Sequence, residues 1–158
     1  MKCLYNADIV DGINNVSADY MYVFKFVEGY CLIAAMPVNE AMKTTRFERG
    51  DLCAFTWNNK LLVKRVVGLP GDWIEIDTDG TVYLNGDKLD EPYVQQMALG
   101  ECDLEFPFQV PQEQYFVIGD MRESSIDSRN SLIGCIPKDQ IVGKVFFRVW
   151  PFKSIQFF

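Results

Sequence analysis

The chain contains no histidine. Because histidine is the base of Ser-His-Asp and Cys-His catalytic sites, mechanisms of these kinds are excluded. Histidine is also the commonest protein ligand of zinc, copper and non-haem iron, so the sequence predicts no metal and no cofactor. Any catalysis must therefore use another side chain as the base.

Long apolar runs and an excess of positive charge are missing as well. No run of about 18 apolar residues is present that would form a transmembrane helix. The first residues, MKCLYNADIVDG, lack the apolar segment of a signal peptide. The formal net charge of -7 argues against general nucleic-acid binding, which needs Lys and Arg to neutralise phosphates. We therefore expect an acidic surface and no nucleic-acid partner.

The five cysteines form no pattern typical of a disulfide framework or a zinc site. They are widely spaced, odd in number and contain no CxxC pair, at Cys3, Cys31, Cys53, Cys102 and Cys135. Cys31 and Cys53 lie in apolar runs, where a free cysteine behaves as a small hydrophobic residue. We predict that these two side chains are part of the core.

Strand signals dominate the chain, whose 158 residues suit a single domain over 1–158. Short runs rich in β-branched and aromatic residues predict strands at Tyr20–Phe26, Tyr30–Ala35, Leu52–Trp57, Leu61–Val67, Tyr115–Ile118 and Ile141–Trp150. Within residues 73–89, Asp79-Gly80 and Asn85-Gly86 each stand where a tight primed turn would reverse the chain. The one helical candidate, VNEAMKTTRF after Pro37, is weak.

Consecutive hairpins favour antiparallel pairing. We therefore predict a mostly β fold of antiparallel sheets with little helix, forming two packed sheets or a partly closed barrel.

Three segments carry a resemblance to type I signal peptidases, the serine peptidases that remove secretory signal peptides. RGDLCAF is similar to the family's RGDIVVF. VKRVVGLPGDWIEI, followed by LNG and EPY, is similar to VKRVIGLPGDxVEI, xNG and EPY. YFVIGDMR with SIDSR resembles the GDNRxxSxDSR box, and a weaker stretch, DYMYVFKFVEG, resembles GDxxLVxKFxYG. These segments lie at residues 49–55, 63–76, 84–86, 91–93, 115–129 and 19–29.

By this resemblance Lys64 is the general base, which suits a protein without histidine. A lysine near its usual pKa of about 10.4 is protonated at neutral pH and cannot accept a proton. Burial among apolar groups lowers that pKa, and Lys64 has apolar sequence neighbours at Leu61, Leu62, Val63, Val66 and Val67. Without the resemblance, Lys64 would be read as a solvent-facing strand residue.

The third segment would support this base. The resemblance implies that Ser125 orients the Lys64 amine and that Asp127 and Arg129 form an ion pair that braces the site, beside Gly119 and Asp120. A neutral hydroxyl suits a base better than a carboxylate, which would raise the lysine pKa. Taken alone, this segment would be an ordinary polar turn.

The sequence departs from the family at the nucleophile. Aligning DYMYVFKF with the family's strand places the catalytic serine position at Val10, followed by Asp11. Neither residue can form an acyl-enzyme. No nucleophile is found at the expected place, and Ser17 is the nearest serine.

Three hypotheses remain open. The leading one is a non-catalytic homologue that keeps the lysine site and binds an extended peptide as an added strand. The second is an active Ser-Lys endopeptidase that uses a serine such as Ser17 to cleave signal peptides after small residues. The third is a structural or interaction β domain. An extended peptide is the expected partner, with membrane association a second expectation and the oligomeric state unassigned. The localisation is the extracytoplasmic membrane face if an anchor is missing from this chain, and cytoplasmic if the chain is complete.

Overall fold

The computed structural model describes residues 20–27, 30–37, 46–58, 60–150 and 156–157, with side chains for 46–58 and 60–145. The chain divides into two compact units, one of residues 46–142 and one that combines 1–45 with 143–158. The prediction of a single domain stays a prediction.

The regular elements of the described chain are almost all β-strands. They are β1 (Tyr20–Val27), β2 (Tyr30–Pro37), β3 (Leu52–Trp57), β4 (Lys60–Gly68), β5 (Trp73–Ile76), β6 (Val82–Leu84), β7 (Asp87–Lys88), β8 (Phe108–Gln109), β9 (Gln114–Ile118), β10 (Ile136–Pro137), β11 (Ile141–Trp150) and β12 (Gln156–Phe157). The strands predicted from β-branched and aromatic runs are all present, within two residues of the predicted ends.

Strand pairing is antiparallel in both units. In the unit that contains the chain ends, β2 pairs with β1 and β11, and β11 also pairs with β12. In the unit of residues 46–142, one series of strands has the order β3-β4-β9-β10 and a second has the order β7-β6-β5-β8. The predicted antiparallel β fold is therefore confirmed.

The described strands do not close into a barrel. Each series in the 46–142 unit is open, because its first and last strands do not pair with each other. The sequence reveals where strands run but not which strands become edges, since closure depends on pairs that are distant along the chain.

The core of the 46–142 unit consists of two clusters that use alternate residues of the same strands. On β4, Val66 belongs to the first cluster and Val67 to the second. On β9, Val117 belongs to the first cluster and Phe116 to the second. Successive strand residues point to opposite faces, so both faces of this part of the sheet are buried. Cys53 lies fully buried in the first cluster, as predicted, whereas the Cys31 side chain lies outside the described residues.

The two predicted hairpin turns differ in geometry. At Asn85-Gly86 both residues have positive φ, 54° and 89°, which is the pattern of the predicted primed turn. At Asp79-Gly80 only the glycine has positive φ, and residues 77–81 form a longer turn in which the Gly80 amide donates to the Asp77 carbonyl. The prediction of a tight primed turn there is wrong.

Helix is scarce among the described residues, where a 3-10 turn at Lys138–Gln140 is the single helical element. The helical candidate after Pro37 lies outside them, apart from Arg46 and Phe47, which are not helical.

Candidate active site

Lys64 lies on β4 beside the point where the neighbouring strand ends. Alternation along β4 places Lys64 on the same face as Leu62 and Val66, and the register places it opposite Cys53 of β3. Only these alternate residues share its face, so Val63 and Val67, expected from the sequence to surround it, point to the other side. The lysine stem therefore runs along the face of the first cluster, where it is half-buried.

Ser125 meets the lysine amine directly. β9 ends at Ile118, opposite Arg65, and the chain continues through a loop that returns Ser125 to β4. The Ser125 amide donates to the Met121 carbonyl over 3.0 Å, which closes a turn. The Lys64 Nζ donates to the Ser125 Oγ over 2.6 Å, and Ser125 is buried. The structure thus brings together the two residues that the sequence pattern proposed as a pair.

Gly119 allows Ser125 to approach Lys64 closely. A Cβ at position 119 would lie 2.1 Å from the Ser125 Oγ and 3.2 Å from the Lys64 Nζ. Real atoms do not approach so closely, so any larger residue would displace the serine. The close approach of the two side chains, rather than an unusual φ, requires glycine here.

Asp127 and Arg129 form a buried ion pair beneath the Ser125 loop. The Arg129 guanidinium donates to both Asp127 carboxylate oxygens over 2.8 Å, and the Gly119 amide donates to the Asp127 Oδ2 over 2.9 Å. Burial alone would raise the pKa of Asp127, but hydrogen bonds and charge from Arg129, with hydrogen bonds from Gly119 and Ser125, hold it below its ordinary value. The carboxylate is therefore charged at neutral pH and fixes the backbone at Gly119.

The hydrogen bond from Lys64 defines the role of Ser125. The serine oxygen accepts from the Lys64 amine, while the neighbouring Asp127 accepts from Arg129 and from the Gly119 amide. A hydroxyl in this arrangement orients the amine.

Asp120 anchors the first turn of the same loop. Its carboxylate accepts from the Arg65 Nε over 2.8 Å and from the Arg65 Nη2 over 2.6 Å. Arg65 also donates to the Gly50 carbonyl, and its Cζ lies 4.0 Å from the centre of the Tyr93 ring. Arg65, which follows Lys64 on β4, therefore forms an ion pair with Asp120, which follows Gly119 in the loop.

A second buried ion pair holds the middle of the loop. The Arg122 Nη2 donates to the Glu91 Oε1, which also accepts from the Tyr93 hydroxyl over 2.9 Å. Both side chains of the ion pair are almost completely buried. The Arg122 carbonyl accepts from the Arg129 Nη2 over 3.0 Å, which connects the two buried ion pairs.

Sequence reasoning missed Glu91, Tyr93, Arg65 and Arg122 as parts of this site. Their segments match the family's EPY, VKRV and GDNR motifs. This match is the sequence signal that could have identified them as site residues. Nothing in the residue types reveals that Glu91 lies against a loop that begins 28 positions later, because such contacts are set by tertiary packing.

The remaining serines of the loop make other contacts or are exposed. The Ser128 Oγ accepts from the Val117 amide over 2.9 Å, and the Ser131 Oγ donates to the Asp103 Oδ2 over 2.6 Å. Ser124 is exposed. Val10, the aligned nucleophile position, and Ser17, the nearest serine, both lie outside the described residues.

The amino-acid sequence matches a known family. The family model described as "Signal peptidase, peptidase S26" matches residues 15–150. The chain belongs to the signal peptidase family.

Curated relatives carry the same name. The chain is 40% identical over 118 residues to signal peptidase I S of Bacillus subtilis (strain 168), a match that covers 70% of this chain. It is 42% identical over 131 residues to signal peptidase IB of Staphylococcus aureus (strain MRSA252), covering 73% of this chain. The match spans 63% of the length of the Bacillus subtilis protein and 67% of the Staphylococcus aureus protein.

A solved signal peptidase has the same fold. The crystal structure of a signal peptidase I from Enterococcus faecalis V583 matches with a TM-score of 0.51 and 31% sequence identity. The match covers 63% of this chain and 96% of that one.

The described residues contain neither a membrane-spanning helix nor a cluster of metal-ligating side chains. None of the helices they contain is long and apolar enough to span a membrane. In that same part of the chain, no three His, Cys, Asp or Glu side chains are grouped so that they could hold a metal ion.

Proposed function

We propose that this signal peptidase family member binds an extended peptide at the Lys64–Ser125 site without cleaving it. The observation that carries the proposal is a retained base site in a chain whose aligned nucleophile position holds Val10. Lys64 keeps its 2.6 Å hydrogen bond to Ser125, and the buried Asp127–Arg129 pair supports it. Valine has no group that can form an acyl-enzyme, so the site keeps its binding elements and lacks the bond-forming atom.

The edge of β4 offers a place for such a peptide. β9 pairs with β4 from Arg65 onward, and among the described residues Lys60–Lys64 extend beyond the end of β9. An extended peptide that adds to this segment as a strand would place its backbone beside Lys64. The side chains of Met121 and Ile126, on either side of Ser125 in the loop, are 56% and 46% exposed and offer apolar contacts. An apolar peptide with small residues, the chemistry of a signal-peptide cleavage region, fits this setting.

An active peptidase is the second candidate, and the intact lysine site favours it. In that case a serine outside the described residues, such as Ser17, would donate its proton to Lys64. Ser125 already accepts a hydrogen bond from Lys64 and, by the family resemblance, stands at the orienting position rather than at the nucleophile position.

A cleavage assay separates the two candidates. The protein is incubated with a signal-peptide substrate that has small residues before the scissile bond, alongside the Lys64→Ala and Ser17→Ala variants. We expect no cleavage by any of the three proteins. Cleavage by the wild-type protein that both substitutions abolish would overturn the non-catalytic proposal.

A binding titration tests the peptide site itself. The same peptide is added to labelled protein, and backbone amide shifts are followed by NMR. We expect shifts at Gly119 and Ser125, weakened by Ser125→Ala and unchanged by the exposed control Ser124→Ala. If no amide near Lys64 shifts, the peptide-binding proposal is overturned. The third hypothesis, a β domain whose site residues only stabilise the fold, would then remain.

The family resemblance supports a role at the extracytoplasmic face of a membrane. Fractionation of producing cells, followed by protease treatment of intact cells, would show whether the chain is associated with that face.

A further inference from the structure

Glu91 and Arg122 are charged residues enclosed by protein. Their side chains are 0% and 2% exposed. Removing two charges from water is costly, and it is compensated only by good geometry and further hydrogen bonds. Here the Glu91 Oε1 receives the Arg122 guanidinium and the Tyr93 hydroxyl. A hydrophobic pair of similar volume would fill this space at lower cost, so the charged pair calls for a reason other than stability.

The position of Arg122 supplies that reason. Arg122 directly follows Met121, whose carbonyl accepts the Ser125 amide and thereby closes the turn that carries the serine. The Arg122 carbonyl accepts from Arg129, the partner of Asp127. A displacement of Arg122 would therefore move both the serine and its supporting ion pair.

Tyr93 connects this pair to the lysine strand. Its hydroxyl donates to Glu91, while its ring lies under the guanidinium of Arg65, the neighbour of Lys64. Burial, followed by the charge of Glu91 and the hydrogen bond to it, raises the pKa of Tyr93, so the hydroxyl keeps its proton and continues to donate. Glu91 and Tyr93 thus connect Arg122 of the loop with Arg65 of β4, although Glu91 precedes Arg122 by 31 residues.

We propose that Glu91 and Tyr93 are positioning residues, which hold the Ser125 loop at hydrogen-bonding distance from Lys64 through Arg122 and Arg65. The proposal rests on the proposed function only in taking the Lys64–Ser125 pair as the site. It adds two residues that act through Arg122 and Arg65 to set the distance between Lys64 and Ser125.

The test measures how readily the Lys64 amine reacts. The folded protein is treated with a limiting amount of an acetylating ester, and the acetylation rate of each lysine is measured by peptide mass spectrometry. Lys88, exposed on β7, is the internal reference. Ser125→Ala defines the rate when the hydrogen bond to the serine is absent, which we expect to be about fivefold above wild type, the effect of losing one ordinary hydrogen bond.

Glu91→Gln is expected to raise the Lys64 rate toward that of Ser125→Ala, with Lys88 unchanged. Tyr93→Phe, which removes only the hydroxyl and keeps the ring on Arg65, is expected to raise it about twofold. Asp72→Asn is the control. It also removes a carboxylate from an ion pair, with the more exposed Arg49, but it lies outside the loop, so it should destabilise the protein and leave the Lys64 rate unchanged.

An unchanged Lys64 rate in folded Glu91→Gln, or an equal rise in Asp72→Asn, would overturn the proposal. If Glu91→Gln does not fold, the Tyr93→Phe variant tests the proposal instead. A Lys64 acetylation rate equal to wild type in that variant would overturn it. Peptide affinity is measured on the same variants. If no protein binds peptide but the Lys64 rates change as expected, the proposed function fails and the positioning role stands.

Discussion

At the scale of single residues, Gly119 sets how closely Ser125 approaches Lys64. A methyl group at this position would overlap the serine oxygen, at 2.1 Å. We predict that Gly119→Ala costs about 1–3 kcal/mol in the free energy of unfolding, as overpacking does, and abolishes peptide binding. Urea unfolding and calorimetric titration with the peptide measure the two effects. Wild-type affinity in this variant would show that the serine contact is not needed for binding.

Asp127 makes stability depend on pH. Its pKa is lowered in the folded protein from the ordinary value of 3.8, so below that value the unfolded chain binds more protons than the folded one. The stabilisation is complete above about pH 4 and is lost as the pH falls through the folded-state pKa. We predict a fall in the free energy of unfolding from pH 5 to pH 2 that is smaller in Asp127→Asn. The buried Arg129 is left without its carboxylate in that variant, which should cost about 3–5 kcal/mol at pH 7. An identical pH slope in the two proteins would contradict the assignment.

Cys53 lies opposite Lys64 but cannot replace the missing serine. Burial raises the pKa of its thiol from 9.0 to about 12. At pH 8 its thiolate fraction, and with it the alkylation rate, should be about a thousandfold below that of the unfolded chain. Iodoacetamide labelling with and without urea, read by mass spectrometry, tests this. Rapid labelling of Cys53 in the folded protein would show a reactive thiol beside the lysine.

The pairing of Lys64 with Ser125 was predictable, but only through the resemblance to the family's motifs. Taken alone, Lys64 would be read as a solvent-facing strand residue and the Ser125 segment as a polar turn. Glu91 and Arg122 were missed, since their contact joins positions 31 apart and depends on how the loops pack.

At the scale of elements, β4 is the strand on which the site depends. Its residues alternate between the two core clusters, and Lys64 takes the place of an apolar residue at the end of the first cluster. We predict that Val66→Ala and Val67→Ala, on opposite faces, each cost about 2 kcal/mol in the free energy of unfolding. The exposed Glu75→Ala on β5 should change it by less than about 0.5 kcal/mol. A small effect at either valine would show that one face of β4 is not packed as described.

Turn geometry explains why one hairpin was predicted better than the other. Asn85-Gly86 adopts positive φ at both positions, which the Asn-Gly dipeptide favours locally. Asp79-Gly80 has the same kind of signal, but a backbone hydrogen bond from Asp77 to Thr81 extends that turn. The loop length is set by the strands that it connects, which the dipeptide alone does not specify.

At the scale of the whole molecule, the strands were predictable and their closure was not. Antiparallel pairing follows from consecutive hairpins, and the fold similarity to a signal peptidase I confirms it. Which strands become edges depends on long-range pairing, and the edge of β4 beside Lys64 is the place where the proposed peptide would bind. The absence of histidine, which first excluded common catalytic sites, is consistent with a family whose expected base is lysine.

The most direct test of the central claim is mass spectrometry of a signal-peptide substrate incubated with an equimolar amount of the protein until binding is complete. The account predicts that the peptide is recovered intact and that no acylated protein is detected. A cleaved peptide, with the cleavage abolished in Lys64→Ala, would contradict it.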